Sequence, residues 1–141
     1  MTTAQHLETI DLLRSRDFPE EPGPSDVGRE GPGFHIAELN GRVGDGHNAG
    51  ADEDAEAAAD QRAVEQGALL DDLTRRWGEP GVFNLVTTLL RVERDEEVPD
   101  PWRRLSEQME WLYLWQIEDR WIGVGLSDFQ LQTVVTEIDP P

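Results

Sequence analysis

The sequence of 141 residues contains no cysteine, and this absence removes several classes of protein from consideration. A disulfide framework, thiol catalysis, zinc–thiolate sites and iron–sulfur clusters all require cysteine. Lysine is also absent, and all 12 basic residues are arginine. Alanine, glycine and arginine are common, so this choice is typical of a GC-rich genome and needs no functional explanation.

The sequence also lacks a long hydrophobic run and a recognisable catalytic motif. No stretch approaches the roughly 18 apolar residues that cross a bilayer, and the N-terminus has no charged start followed by an apolar run. His6, His35 and His47 show no ligand spacing, and the acidic stretch at 44–56 lacks the residue order of a calcium-binding loop. We therefore expect a cytoplasmic protein that is not an enzyme, has no cofactor or metal and has no membrane partner.

What the sequence has in excess is negative charge. There are 30 Asp and Glu residues against 12 arginines, so the formal net charge is -18. A field of one sign attracts partners of the other sign. Binding to nucleic acid, in contrast, needs a basic groove that neutralises phosphate. The charge predicts a basic protein partner and no direct binding of nucleic acid, and it leaves the oligomeric state open.

Local patterns divide the chain into three parts. Residues 1–18 contain an amphipathic helix over 3–16, in which apolar residues recur at helical spacing. Residues 19–50 are rich in glycine, proline and acids, and this composition is typical of a linker or loose loop because it buries little apolar surface. The Asn40–Gly41 pair is the exception in this segment, since it favours a hairpin turn. The remaining residues, 51–141, are predicted to form the core domain.

The core domain begins with a long helix over 52–77. Apolar residues fall on one stripe of this helix, and it starts with acids and ends with arginines, as the helix dipole favours. The segment 82–93 fits either a helix or a strand, and we interpret it as a strand. A short helix follows, with Asp100 as its N-cap and Pro101 at its first position. Its buried face is predicted to consist of Trp102, Leu105 and Met109.

From Trp111 onward, apolar side chains alternate with a period of two, which predicts strands. Turns are expected at Glu118–Asp119 and at Ser127–Gln130, so the strands form an antiparallel meander. The predicted fold class is therefore α+β, with a long helix and one or two shorter helices packed on one face of a three- to four-stranded antiparallel sheet.

Two acidic clusters are the candidate partner-binding residues. A solvated helix usually interleaves acids with bases at i, i+4 spacing, which stabilises it by about 0.2–0.5 kcal/mol per pair. The long helix lacks most of these pairs, so its acids are either tolerated on a solvent-exposed face or used in binding. The first cluster lies on this helix and the second surrounds the end of segment 82–93; their members are Glu65, Asp71 and Asp72, and Glu93, Asp95, Glu96 and Glu97.

Four segments carry a resemblance to a class of known proteins: WGEP at 77–80, EEVPDPW at 96–102, LYLWQIEDRWIGVGLSD at 112–128 and VVTEIDPP at 134–141. Together they resemble short acidic proteins that are common in actinomycete genomes, a class without an established activity. In size and charge the chain is also similar to bacterial immunity proteins, which neutralise toxins.

The leading functional hypothesis is a non-enzymatic acidic binding protein, specifically an immunity- or antitoxin-like inhibitor of a basic partner such as a nuclease toxin. One alternative is a DNA mimic or regulator whose carboxylates occupy a DNA-binding protein. Another is a structural or assembly factor whose charge serves only solubility. A regular row of carboxylates favours mimicry, whereas one compact acidic patch beside exposed apolar residues favours an inhibitor.

Overall fold

A computed structural model describes residues 3–26, 28–39, 52–127 and 130–141, with the backbone alone described at 52–59. Within these ranges the chain forms four helices: α1 (Thr3–Ser15), α2 (Asp52–Trp77), α3 (Leu85–Glu93) and α4 (Trp102–Ser106). The strands are β1 (Gly23–Pro24), β2 (Gly28–Gly31), β3 (Phe34–Glu38), β4 (Gly81–Asn84), β5 (Trp111–Ile117), β6 (Arg120–Ser127) and β7 (Gln130–Thr136).

All seven strands belong to one antiparallel sheet, in the order β1-β2-β3-β7-β6-β5-β4. The α+β class predicted from the sequence is confirmed, and so are the helices α1 and α2 and the β5–β6–β7 meander. The predicted number of three to four strands is wrong. The meander is extended at one edge by β4, which pairs with β5, and at the other by β3, which pairs with β7.

The expectation of a loose loop over 19–50 is wrong for β1, β2 and β3, which are strands within that segment. The β2 and β3 strands form a hairpin whose turn contains Gly33, with φ at 87°. Four consecutive residues of β3, from Phe34 to Ala37, are buried. Strand β3 lies beside β7 and is covered on both faces. The side chains of these four residues are therefore removed from water, although the segment contains few apolar residues. The predicted turn at Asn40–Gly41 lies outside the described residues.

The interpretation of 82–93 as a strand is also wrong for most of its length. Strand β4 ends at Asn84, whose side-chain Oδ1 accepts a hydrogen bond of 2.8 Å from the Val86 N–H and so caps α3. Asp100 does not cap α4, because the N-cap position is Pro101 and no side chain bonds there. The β-branched residues of α3 are tolerated because packing of an amphipathic face outweighs intrinsic helix propensity.

Helices cover both faces of the sheet, and the prediction that they cover one face is wrong. On one face, α1 and α2 pack on a core that contains Ile10, Leu13, Ala37, Leu39, Leu69, Leu73, Trp115, Ile122, Val124, Leu131 and Val135. On the other, α3 and α4 pack on a core that contains Phe34, Ile36, Leu85, Val98, Trp102, Leu105, Met109, Leu112, Leu114 and Val134. Adjacent residues of β7, Val134 and Val135, therefore enter different cores, as the alternation of side chains along a strand requires.

Two buried tryptophans connect the helix layers to the rest of the chain. The Trp102 indole N–H donates to the Ile138 carbonyl oxygen at 3.0 Å, and the Trp115 indole N–H donates to the Gly78 carbonyl oxygen at 2.8 Å. The predicted buried face of α4 is confirmed for Trp102 and Leu105, whereas Met109 is buried as predicted but lies beyond the end of the helix at Ser106. Among the side chains of α2 that the structure describes, from residue 60 onward, the buried ones are Leu69 and Leu73.

Two glycines provide a matched test of this packing. A Cβ at Gly123 would lie 2.7 Å from Leu112 Cδ2 and 2.9 Å from Val134 Cγ1, whereas a Cβ at Gly67 on α2 would meet nothing within 4 Å. We expect Gly123→Ala to lower the free energy of unfolding by about 1–3 kcal/mol through overpacking. Gly67→Ala should raise it by about 0.5–1 kcal/mol, since alanine favours a helix. Urea denaturation measures both, and equal effects of the same sign would contradict the packing described above.

Candidate functional site

The second acidic cluster is held in place by the way α3 ends. The Glu96 N–H donates to the Arg91 carbonyl oxygen and the Asp95 N–H to the Val92 carbonyl oxygen, each at 3.0 Å. This pair of bonds is the Schellman arrangement, in which the residue after the C-cap adopts a left-handed conformation. That residue is Asp95, with φ at 64°, where glycine is usual. The turn therefore presents three consecutive acids, from Asp95 to Glu97, in a defined geometry.

These acids line a concave depression of about 450 Å³, which we call the acid cleft. Its lining residues are Val92, Asp95, Glu96, Glu97 and Arg103. The cleft thus contains three carboxylates and one guanidinium. The only ion pair among these acids in the described part of the chain joins Glu96 Oε1 to Arg91 Nε at 3.2 Å. The acids also follow the C-terminus of α3, where the helix dipole disfavours negative charge. These acids therefore gain no stabilisation from the dipole of α3.

Exposed apolar side chains lie on the same helix. Val86 and Leu90 are 42% and 47% exposed and are four residues apart, so they are neighbours on the outer face of α3. Glu93, which is exposed, lies one turn beyond Leu90. We call Val86, Leu90, Glu93 and the acid cleft together the α3 surface. It consists of an apolar outer face of α3 and the acids at the C-terminal end of the same helix.

The first acidic cluster differs from the second in its environment. The Glu65 side chain is only 12% exposed, and both of its oxygens accept hydrogen bonds from Arg62 Nη1, at 2.5 and 2.7 Å. Asp72 pairs with Arg75 at 3.1 Å, and Asp71 is exposed. These residues lie on α2, which covers the opposite face of the sheet from α3. The structure therefore does not bring the two predicted clusters together, and it withdraws Glu65 from the surface.

Two buried histidines were not singled out by the sequence. His6 is fully buried on α1, and neither ring nitrogen has a hydrogen-bond partner among the described residues. Its place on the stripe with Ile10 and Leu13 was the signal for burial. His35 is buried in β3, where Nε2 lies 3.2 Å from the Asp17 carbonyl oxygen. Its Nδ1 lies 3.2 Å from Glu30 Oε1, but without the alignment of a hydrogen bond.

Burial lowers the pKa of both histidines below the ordinary value of 6.5. Nearby carboxylates, Glu65 for His6 and Glu30 for His35, act in the opposite direction and only partly offset this effect. Both rings are therefore neutral at neutral pH. They contribute to packing and do not form part of the α3 surface.

Other kinds of site and similarity to known proteins give no further assignment. No group of three or more His, Cys, Asp or Glu residues in the described ranges is arranged to hold a metal ion. None of the described helices has the length and apolar character needed to span a membrane. Comparison with protein-family models, curated proteins and solved structures finds no match to this chain. The resemblance to short acidic actinomycete proteins stays a prediction.

The left-handed residue in the acid cleft gives a testable prediction. Asp95→Gly should raise the free energy of unfolding by about 0.5–1 kcal/mol, because glycine adopts φ above zero without steric cost and the substitution removes one carboxylate from a crowded turn. Asp95→Asn is the control, since it removes the charge but keeps a Cβ. Urea denaturation of the three proteins checks the prediction. A loss of stability in the glycine variant would contradict the assigned turn geometry.

The buried histidines predict how stability depends on pH. Their folded-state pKa values lie below the unfolded value, so the unfolded state binds more protons and the free energy of unfolding declines as pH falls below about 6.5. His6→Gln should flatten this decline between about pH 7.5 and about pH 5, measured by urea denaturation. His35→Gln should independently remove a second part of the decline in the free energy of unfolding. If both variants follow the parent curve, the histidines do not cause the pH dependence.

Proposed function

We propose that this chain is a non-enzymatic binding protein that holds a basic protein partner on its α3 surface, in the manner of an immunity or antitoxin-like inhibitor. The observation that carries the proposal is the acid cleft at the C-terminal end of α3, the helix whose outer face exposes Val86 and Leu90. A single compact acidic patch next to apolar area suits a protein interface, which needs desolvated anchors as well as complementary charge.

Binding would proceed in two physical steps. The net charge of -18 steers a basic partner toward the chain and raises the association rate. An arginine or lysine of the partner then enters the acid cleft, where Asp95, Glu96 and Glu97 supply carboxylates. Arginine suits this cleft best, because its planar fork donates two parallel hydrogen bonds to a carboxylate. Val86 and Leu90 add contacts that slow dissociation.

The DNA-mimic alternative receives less support from the geometry. A mimic needs carboxylates in a regular row, and the predicted acids instead divide between two opposite faces of the sheet. Glu65 is paired with Arg62 and is nearly buried, so it contributes little to a phosphate-like array. The acids on α2 favour solubility in this proposal, and the partner is met in the cytoplasm.

Charge reversal tests the proposal directly. We expect affinity capture from the native host at low salt to recover a basic protein, and the double variant Glu96→Arg, Glu97→Arg to recover it at least tenfold less well. Asp71→Arg on α2 is the matched control, because it introduces the same kind of charge on the opposite face. Loss of capture at high salt should accompany binding, as charge steering requires.

The apolar part of the α3 surface is tested with the same partner. Leu90→Ser should increase the dissociation rate about tenfold while leaving the association rate nearly unchanged, since apolar anchors act mainly on dissociation. Surface plasmon resonance measures both rates.

The capture experiment with the charge-reversal variants has two outcomes that count against the proposal. The proposal is wrong if capture is equal for the parent and the double variant. Equal dependence of capture on the α2 and α3 acids would favour the DNA-mimic alternative.

A further inference from the structure

Two arginines without a carboxylate partner line one small cavity on the α4 side of the sheet. Six arginines of the described chain lie within 4 Å of a carboxylate oxygen: Arg14, Arg16, Arg62, Arg75, Arg76 and Arg91. Arg29 and Arg104, like Arg94, Arg103 and Arg120, have no such neighbour among the described residues, although the chain has 30 acids. Both line a cavity of about 160 Å³. The Nε of Arg104 is buried there and has no hydrogen-bond partner in the described chain.

The register of the sheet explains why these groups meet. Arg29 is opposite Ile36 across β2 and β3, and Ile36 belongs to the core beneath α3 and α4. Glu38 lies two residues further along β3, on the same face, and is opposite Gln132 of β7. Helix α4 supplies Arg104 from above. The cavity therefore lies where the α4 layer ends and the β2–β3 hairpin continues the sheet.

Gln132 adds a buried hydrogen-bond acceptor without a partner in the described ranges, whereas Arg104 Nε is a donor without one. Gln132 is only 6% exposed, and its Oε1 has no hydrogen-bond partner among the described residues. Its amide nitrogen reaches Gln130 Oε1 at 3.5 Å, which is a long contact. A buried acceptor without a donor is unfavourable, because it has lost its hydrogen bonds to water without replacing them. Two buried polar atoms of residues that line the cavity, Arg104 Nε and Gln132 Oε1, thus lack a partner among the described residues, and the charged side chains of Arg29 and Glu38 line the same cavity.

We propose that this cavity binds a small α-amino acid in its zwitterionic form. The ligand carboxylate accepts hydrogen bonds from Arg29 and Arg104, and its ammonium donates to Gln132 Oε1 and to Glu38. An apolar cavity of about 150 Å³ holds benzene, so a cavity of this size has room for glycine, alanine or serine. A zwitterion has no net charge, so the acidic field does not repel it, whereas a phosphate or a dicarboxylate would face Glu38.

This site is independent of the proposed function. The α3 surface consists of residues of α3, the turn that follows it and Arg103 of α4, whereas the cavity is lined by Arg104 of α4, by Gln108 and by residues of β2, β3 and β7. The two lie in one helix layer, but they share no lining residue. Either site can fail its test while the other passes.

Isothermal titration calorimetry of the full chain with glycine, L-alanine and L-serine tests the assignment. We expect at least one of them to bind with a dissociation constant at or below about 1 mM. Arg104→Met should weaken binding at least tenfold, because it removes a charged hydrogen bond and keeps the aliphatic stem. Arg75→Met is the control, since Arg75 has a side chain 74% exposed on the opposite face and should leave binding unchanged.

Two smaller ligands distinguish a zwitterion site from a simple anion or cation site. Acetate and methylamine carry one half of the amino acid each, and each should bind at least tenfold more weakly than the best amino acid. Arg29→Met provides a second variant with an exposed side chain, in case Arg104→Met does not fold. The assignment is overturned if no amino acid binds, if acetate or inorganic phosphate binds as well as the amino acids, or if both arginine variants bind like the parent.

Discussion

The antiparallel pairing of β3 with β7 is the interaction on which the rest of this structure depends. It joins a strand near the N-terminus to the last strand of the meander through five residue pairs, from Phe34–Thr136 to Glu38–Gln132. Strand β3 also contributes to both cores, with Ala37 on the α1–α2 side and Phe34 and Ile36 on the α3–α4 side. Without this pairing, β7 would be an edge strand and the N-terminal hairpin would have no partner.

The two-sided core has a consequence for the placement of charge. Because both faces of the central strands are covered, acids can occupy only helix outer faces, turns and the sheet margin. Two of the acids described on α2 are neutralised locally, in the pairs Glu65–Arg62 and Asp72–Arg75. At the end of α3 the acids remain largely uncompensated and lie at the unfavourable end of the helix dipole. Stability alone does not account for that arrangement, and it is therefore the more informative of the two clusters.

Helix α4 is short, but it connects the two candidate sites. Arg103 lines the acid cleft and its neighbour Arg104 lines the cavity at the sheet margin. Successive residues of a helix point in different directions, so one turn can supply a side chain to each site. The buried face of the same helix holds Trp102 and Leu105 in the core. Both sites consequently take one side chain from a helix whose inner face is buried in the core.

The sequence by itself determined the elements whose signals are local. The period of α2, the alternation along β5 to β7 and the buried face of α4 all follow from residues a few positions apart, since helix and strand geometry repeat over that distance. Only the tertiary structure decided that β3 is a strand, that 85–93 is a helix and that both faces of the sheet are covered. Each of these outcomes depends on apolar area supplied by distant parts of the chain, such as Val134 beside Ile36. The tertiary structure likewise places the two acidic clusters on opposite faces of the sheet and places Arg29 and Arg104 at one cavity. Charges can be counted along a sequence, but the pairing and exposure of each charge depend on the neighbours that the fold supplies.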